Sequence, residues 1–238
     1  MTRIVSFALA AVLGLSLASC GSEDKESAGA PASTPSPTAV PSSTSGVPVT
    51  RTEVELTKAL LELADLPSGF SEDKEDSADG TKPFSSPSDR CKTLVKYLNA
   101  TKAPGSKASA ARTFTGGQEG PYIDYVLDSM GTADEVGDLR ESYAKAVGNC
   151  SKVSLKTKGA GNTSMKVEEI TAPAYGTKPF AFRLTGTSGS KRGLEYTAAV
   201  TGVGDVMISV SILAGQGTEL EPATETAVVK VRHTLQIS

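Results

Sequence analysis

The sequence predicts an α+β domain: an antiparallel sheet of about five to seven strands with helices packed on one face. Three observations carry that expectation. Residues 180–185, 194–201 and 206–212 alternate strictly between two sets of side chains, as strands with one packed and one wet face do. The loops joining them, 188–193 and 202–205, are short, which forces antiparallel neighbours. Elsewhere, apolar residues recur at helical spacing behind helix-starting residues at Thr52, Ser86 and Thr132.

The chain begins with an export signal. Arg3 is the only charge in residues 1–19, and Ile4 to Ala18 form an apolar run too short for a membrane span. The run ends in Leu17-Ala18-Ser19-Cys20, which resembles a bacterial lipobox. That resemblance implies cleavage before Cys20 and a diacylglycerol on its sulfur; the other reading is a secretory signal with a chance cysteine. Two acyl chains give stable membrane attachment where one is marginal. Residues 20–52 are then the lipidated Cys20 and a stalk containing Pro31, Pro35, Pro37, Pro41 and Pro48 and no aromatic residue. So little apolar surface cannot offset chain entropy, and disorder is expected there. The expected location is the outer face of the cell membrane, with residues 53–238 as a single domain large enough for one core.

Within that domain, Thr52-x-x-Glu55 forms a capping box, and Val54, Leu56, Leu60, Leu61 and Ala64, at mostly helical spacing, predict a helix over 53–65. Pro67-Ser68-Gly69 ends it. Residues 71–82 read as an acidic loop. Ser86-Pro87 opens a second helix whose inner face carries Cys91, Leu94, Val95 and Leu98. Strands are expected at 108–116 and 122–130. Thr132-x-x-Glu135 caps a helix with Val136, Leu139, Tyr143, Ala146 and Val147 inward, running into Cys150. Strands at 152–158 and 164–171 precede the three alternating ones, and a helix at about 222–236 closes the chain.

Composition excludes several chemistries. A single histidine, His233, rules out a multi-histidine metal site, and three cysteines cannot make a four-cysteine one. His233 lies nearly opposite the inward Ala227, Val228, Val231 and Leu235 on the helical wheel, so it is expected in solvent. No G-x-S-x-G elbow exists. The acidic residues Glu72, Asp73, Glu75, Asp76 and Asp79 do not match a calcium loop. Gly116–Gly120 lacks the lysine of a phosphate loop. Glu168 and Glu169 would face opposite sides of a strand, and Asp124, Asp128 and Glu195 are further exposed-face carboxylates, with no tryptophan to stack a sugar. With 24 Lys+Arg against 27 Asp+Glu, no nucleic-acid footprint is expected. Neither a cofactor nor a metal is expected, and no enzymatic activity.

In an exported chain the two remaining cysteines, Cys91 and Cys150, are expected to pair; the alternative is two separate buried thiols. The alternate face of the late strands carries Ala181, Arg183, Thr185, Thr197, Ala199, Thr201, Ser209 and Ser211. It is either plain solvated surface or a shallow polar cleft. The cleft would have Arg183 as an anion anchor, Thr197 and Glu195 beside it, and Tyr122, Tyr125 or Met207 at the rim. Arg183 could instead pair with Glu195 across the hairpin.

The order of these features resembles the PknH-like sensor domain, which exported actinobacterial lipoproteins share with a mycobacterial receptor kinase. The likeness covers about 53–238. It rests on the opening helix with Asp65-Leu66-Pro67-Ser68-Gly69-Phe70, Cys91 in the second helix, the capped helix ending at Cys150, the late strands and the last amphipathic helix. It implies an antiparallel sheet with helices on one side and a cleft for an unidentified ligand. The kinase sensor has two disulfides where this chain can form one. The expectation is thus a non-enzymatic, lipid-anchored domain that binds a small ligand or a cell-envelope partner. The alternatives are an envelope lipid carrier and, third, a hydrolase.

Overall fold

A computed structural model describes residues 50–74 and 82–237. The expected signal, Cys20, the stalk up to Val49 and part of the acidic loop lie outside those residues. Among the described residues there are nine strands and four α-helices. The strands form one antiparallel sheet, two strands wider than the upper bound expected.

The helix α1 (Glu53–Ala59) starts at the predicted box, where Thr52 Oγ1 accepts from the Glu55 amide and Glu55 Oε2 accepts from the Thr52 amide. It is shorter than expected. Leu60 turns extended, and a separate 3-10 turn follows at Leu63–Asp65. The break lets both Leu60 and Leu61 enter the core, which a continuous helix would not. The acidic stretch supplies a short edge strand, β1 (Ser71–Asp73). At the other edge lies β2 (Phe84–Ser85). These two are the strands absent from the sequence reading; at three and two residues they carry no readable alternation. The second helix starts later than Pro87, with a 3-10 turn at Asp89–Cys91 and then α2 (Lys92–Leu98).

The pair β3 (Ala108–Thr115) and β4 (Tyr122–Ser129) leads into α3 (Ala133–Gly148), capped by Thr132 as predicted. Then come β5 (Lys152–Thr157), β6 (Gly161–Ile170), β7 (Thr177–Ser188), β8 (Glu195–Val203) and β9 (Val206–Leu213). The last helix is α4 (Leu220–Leu235), and His233 on it is exposed. The sheet order is β1-β3-β4-β9-β8-β7-β6-β5-β2.

Helices cover both faces, not one. On the first face Ile123, Tyr125, Leu127, Ala181, Ala199, Ile208, Val210 and Ile212 pack with Leu56 and Leu60 and with Ala227, Val228 and Val231 of α4. On the second, Met165, Val167, Phe180, Phe182, Leu184, Ala198, Val200 and Met207 pack with Leu94 of α2 and with Val136, Leu139, Ala146 and Val147 of α3. Each large side chain buried in this way contributes about 1.5–3 kcal/mol. The cause is register. Strands β8 and β9 pair Val203 with Val206 around the two-residue turn Gly204-Asp205, so even-numbered residues of one strand sit opposite odd-numbered residues of the other. Tyr196, Ala198 and Val200 therefore share a face with Met207, Ser209 and Ser211, while Thr197, Ala199 and Thr201 share one with Ile208, Val210 and Ile212. Both faces are apolar somewhere, and each recruits a helix pair.

Candidate functional site

The predicted cleft residues do not assemble as one site. Arg183 does meet Glu195, at 3.8 Å, and also Glu168 at 3.9 Å, so the guanidinium bridges two carboxylates. Thr197, its register partner, is buried, and Thr201 donates its hydroxyl to the Tyr175 carbonyl oxygen under the α1/α4 layer. Tyr125 is only 1% exposed, packed edge-on against Phe114. Tyr122 points to the opposite face and donates its hydroxyl to the Gln118 carbonyl oxygen at the end of the sheet. The supposed wet face is thus largely the floor of the first core, and Ser209 and Ser211 belong to the other side.

Cys91 and Cys150 are joined by a disulfide, with Cα atoms 4.7 Å apart. A shallow cleft of about 960 Å³ lies around it, lined by Arg90, Cys91, Cys150, Lys152, Val167 and Glu169 among others. None of the predicted cleft residues reaches it.

The polar constellation that the fold does build lies on the second face, beside α2 and α3. A cross-strand row there runs Asp73 (β1), Thr113 (β3), Asp124 (β4), Ser211 (β9) and Ala198 (β8). Thr113 Oγ1 donates to Asp124 Oδ1 at 2.8 Å, and Ser211 Oγ donates to Asp124 Oδ2 at 3.4 Å. Tyr196 stands on the same face, two residues before Ala198 on β8. An aromatic wall rises from this floor. Tyr97 of α2 and Tyr143 of α3 approach to 4.4 Å between ring centroids. Tyr196 packs against Phe182 and against Phe84, at 6.2 and 6.1 Å. Phe84 sits on β2, four strands away from β8, which in a flat sheet is roughly 19 Å. The sheet therefore curls toward α2 and α3, and this face is concave. Thr113, Asp124, Val126, Ser209, Ser211 and Tyr196 all stay half-buried.

Burial raises the Asp124 carboxyl above its ordinary range; the charge of Asp73 adds to this, and the Thr113 and Ser211 hydroxyls oppose it. Burial also pushes the Tyr196 phenol up to about 12, with Ser211 opposing and Asp124 adding. Four residues further along the same face of β4, Asp128 is 1% exposed, and its Oδ1 lacks a hydrogen-bond partner. Burial raises its carboxyl, against the lowering effects of Ser106, Ser109, the Ala103 backbone and Lys102.

These shifts predict a pH effect. The folded Asp124 value lies above the unfolded one near 3.8, so its contribution to stability is full below 3.8 and is lost as pH rises through the folded value. Asp124→Asn removes that loss. Its urea midpoint is expected to exceed that of the unaltered chain at pH 7, with the gap closing as pH falls toward 3.8. A gap independent of pH would contradict this.

Asp124 and Asp128 were visible in the sequence as carboxylates alternating with Ile123, Tyr125 and Leu127. Nothing in the sequence joined them to Ser211, Tyr196, Tyr143 and Tyr97, which arrive from β9, β8, α3 and α2. Among the described residues, no group of three or more His, Cys, Asp or Glu converges in the geometry of a metal site. No helix among them is long and apolar enough to cross a membrane.

No known protein family and no curated protein matches the chain. Among solved structures it is similar to the crystal structure of the extracellular domain of PknH from Mycobacterium tuberculosis. The TM-score is 0.58 at 17% identity, over 79% of this chain and 98% of that one. At that identity the likeness is one of fold: this chain has the α+β architecture of the PknH extracellular domain.

Proposed function

We propose that the chain is a lipid-anchored, extracytoplasmic binding domain of the sensor type, without enzymatic activity. It would receive a small ligand or a cell-envelope partner on the concave face beside α2 and α3. The fold likeness to an extracellular domain supports the sensor-like reading. Leu17-Ala18-Ser19-Cys20 motivates the anchor. The observation that carries the binding reading is the half-buried run Thr113–Asp124–Ser211, joined by hydrogen bonds through the Asp124 carboxylate, with Tyr196 on the same face.

Two experiments test the proposal. Cys20→Ala is expected to abolish incorporation of labelled palmitate and to move the protein from the membrane to the soluble fraction of a producing bacterium. An unlabelled native chain, or a variant that still sediments with membranes, refutes the anchor. For the binding face, a thermal-shift screen of small molecules is repeated on Ser211→Tyr, which fills the tray. Hits that stabilise both forms equally refute the assignment of the face.

A further inference from the structure

We infer that the β2–β5 edge of the sheet, together with the exposed side of α2, docks on an anionic phospholipid surface. The choice of partner rests on the anchor proposed above; the charge of the edge does not.

The edge is basic in a chain whose formal net charge is -3. Lys82 precedes β2, Arg90 lies in the 3-10 turn before α2, and Lys96 lies on α2. Lys152 and Lys156 lie on β5, and Lys158 just after it. All six are exposed, and none forms an ion pair among the described residues. Printed contacts of the backbone bring them to one edge. The Lys156 amide donates to the Pro83 carbonyl oxygen at 2.8 Å, which sets Lys82 beside β5. The Asn99 side chain, at the end of α2, accepts from the Phe84 amide at 3.0 Å and donates to the Phe84 carbonyl oxygen at 2.8 Å, which lays α2 along β2. Cys91 is bridged to Cys150, and its sulfur lies 3.4 Å from the Lys152 carbonyl oxygen, which sets Arg90 beside the start of β5.

The nearby carboxylates leave this charge standing. Asp89 is taken by Lys92 at 2.8 Å, and Glu168 by Lys166 at 2.7 Å and by Arg183. The edge also has relief. Lys82, Lys92 and Lys96 line a hollow of about 410 Å³ against α2, and Arg90 and Lys152 line the cleft of about 960 Å³ around the disulfide. Glu169 is the one acid lining either of them. Both volumes lie in the range of small-group sites, so lipid headgroups can enter. The spread of the charges decides between a single anion and a surface. From Lys152 to Lys158 the chain advances roughly 20 Å, so no one phosphate reaches all the cations, whereas attraction to a charged plane adds up along the edge. The anchor proposed at Cys20 holds the chain at a bilayer, which makes phospholipid that plane. Arg51, where the packing of the domain begins, is fixed to Asp205 at the end of the sheet where β5 starts, three strands or roughly 14 Å from it.

The test is co-sedimentation of the chain from residue 20 onward, carrying Cys20→Ala so that no acyl chain contributes. The vesicles hold equal parts of phosphatidylglycerol and phosphatidylcholine. Saturable binding is expected, abolished in about 1 M salt, which screens charges beyond roughly 3 Å. Vesicles of phosphatidylcholine alone are expected to leave the protein in solution. Lys152→Gln combined with Lys156→Gln is expected to weaken binding about thirtyfold, because each lysine near such a surface contributes a factor of about five. Lys58→Gln combined with Arg232→Gln removes the same charge from exposed positions on α1 and α4 and is expected to leave binding unchanged. Equal weakening by the two pairs shows an effect of net charge alone and overturns the inference. So does equal binding to both kinds of vesicle, or binding to neither. A chain that binds inorganic polyphosphate and ignores the phosphatidylglycerol vesicles has a soluble phosphate polymer as its partner, which also overturns it. Palmitate labelling of the unaltered chain decides the anchor separately.

Discussion

Replacing Cys91 and Cys150 together by alanine is expected to lower the unfolding free energy by about 4 kcal/mol. The two positions are 59 residues apart, and closing a loop of that size removes about this much free energy from the unfolded chain in the chain-entropy treatment. The location makes the loss consequential. Cys91 ends the 3-10 turn that precedes α2, and Cys150 follows Asn149, the C-cap of α3. Both sulfurs pack against the carbonyl oxygen of Lys152, the first residue of β5, at 3.4 and 3.6 Å. The bridge thus ties α2 and α3 to the β5 side of the sheet. The edge there is thin, since β2 pairs with β5 through Phe84 and Ser85 only. Those same elements carry Tyr97, Tyr143 and Phe84, so the aromatic wall of the tray should loosen first. Urea denaturation followed by tyrosine emission suits a chain with no tryptophan. Hydrogen exchange should accelerate in α2, β2 and β5 before the β4–β9–β8 centre of the sheet. A loss below about 1 kcal/mol would show that the unfolded chain gains little freedom when the bridge is removed.

Arg51→Ala is expected to cost about 3–5 kcal/mol, as removal of one partner from a buried ion pair does. Arg51 Nε lies 3.0 Å from both carboxylate oxygens of Asp205, and a terminal nitrogen lies 2.8 Å from Oδ1. The side chains are 14% and 7% exposed, so solvent screens them little. With Arg51 gone, the partner left to Asp205 is the Ser129 hydroxyl at 3.3 Å. Arg51→Lys should not restore the loss, because an ammonium cannot reproduce the two-toothed geometry. Asp205→Ala added to Arg51→Ala should recover most of it, since the stranded charge is then removed too. The double-mutant cycle measures this directly; a single variant within about 1 kcal/mol of the unaltered chain would place the pair in effective contact with solvent. The pair also locates the root of the domain. Arg51 falls in the stretch the sequence assigns to the stalk, yet it is fastened to the β8–β9 turn, so the contacts of the domain begin before Glu53.

Much of the fold was legible because it is written locally. Thr52-x-x-Glu55 and Thr132-x-x-Glu135 start α1 and α3 where the capping geometry places them. Residues 180–185, 194–201 and 206–212 alternate with period two and are β7, β8 and β9. The end of α1 was misjudged because Leu56, Leu60 and Leu61 satisfy helical spacing equally well when the chain breaks at Leu60. Strands β1 and β2 exist only through their pairing with β3 and β5. The Arg183–Glu195 pair, two residues facing each other across one hairpin, could be anticipated. The Asp124 row could not, because its members come from five strands and meet only once the sheet is assembled.

The sequence by itself determined an α+β chain with one antiparallel sheet, the caps of its main helices, and a cysteine pair able to bridge. The tertiary structure alone decided which side of each strand is inside. Alternation within a strand separates two faces but does not say which face of its neighbour each one continues. That phase is set by the parity of the connecting turn, and at Gly204-Asp205 it places Ser209 and Ser211 on the face of Tyr196 and hides Thr197 and Thr201 on the face covered by α1 and α4. A polar stripe that is continuous in sequence was thereby divided between a core and a tray.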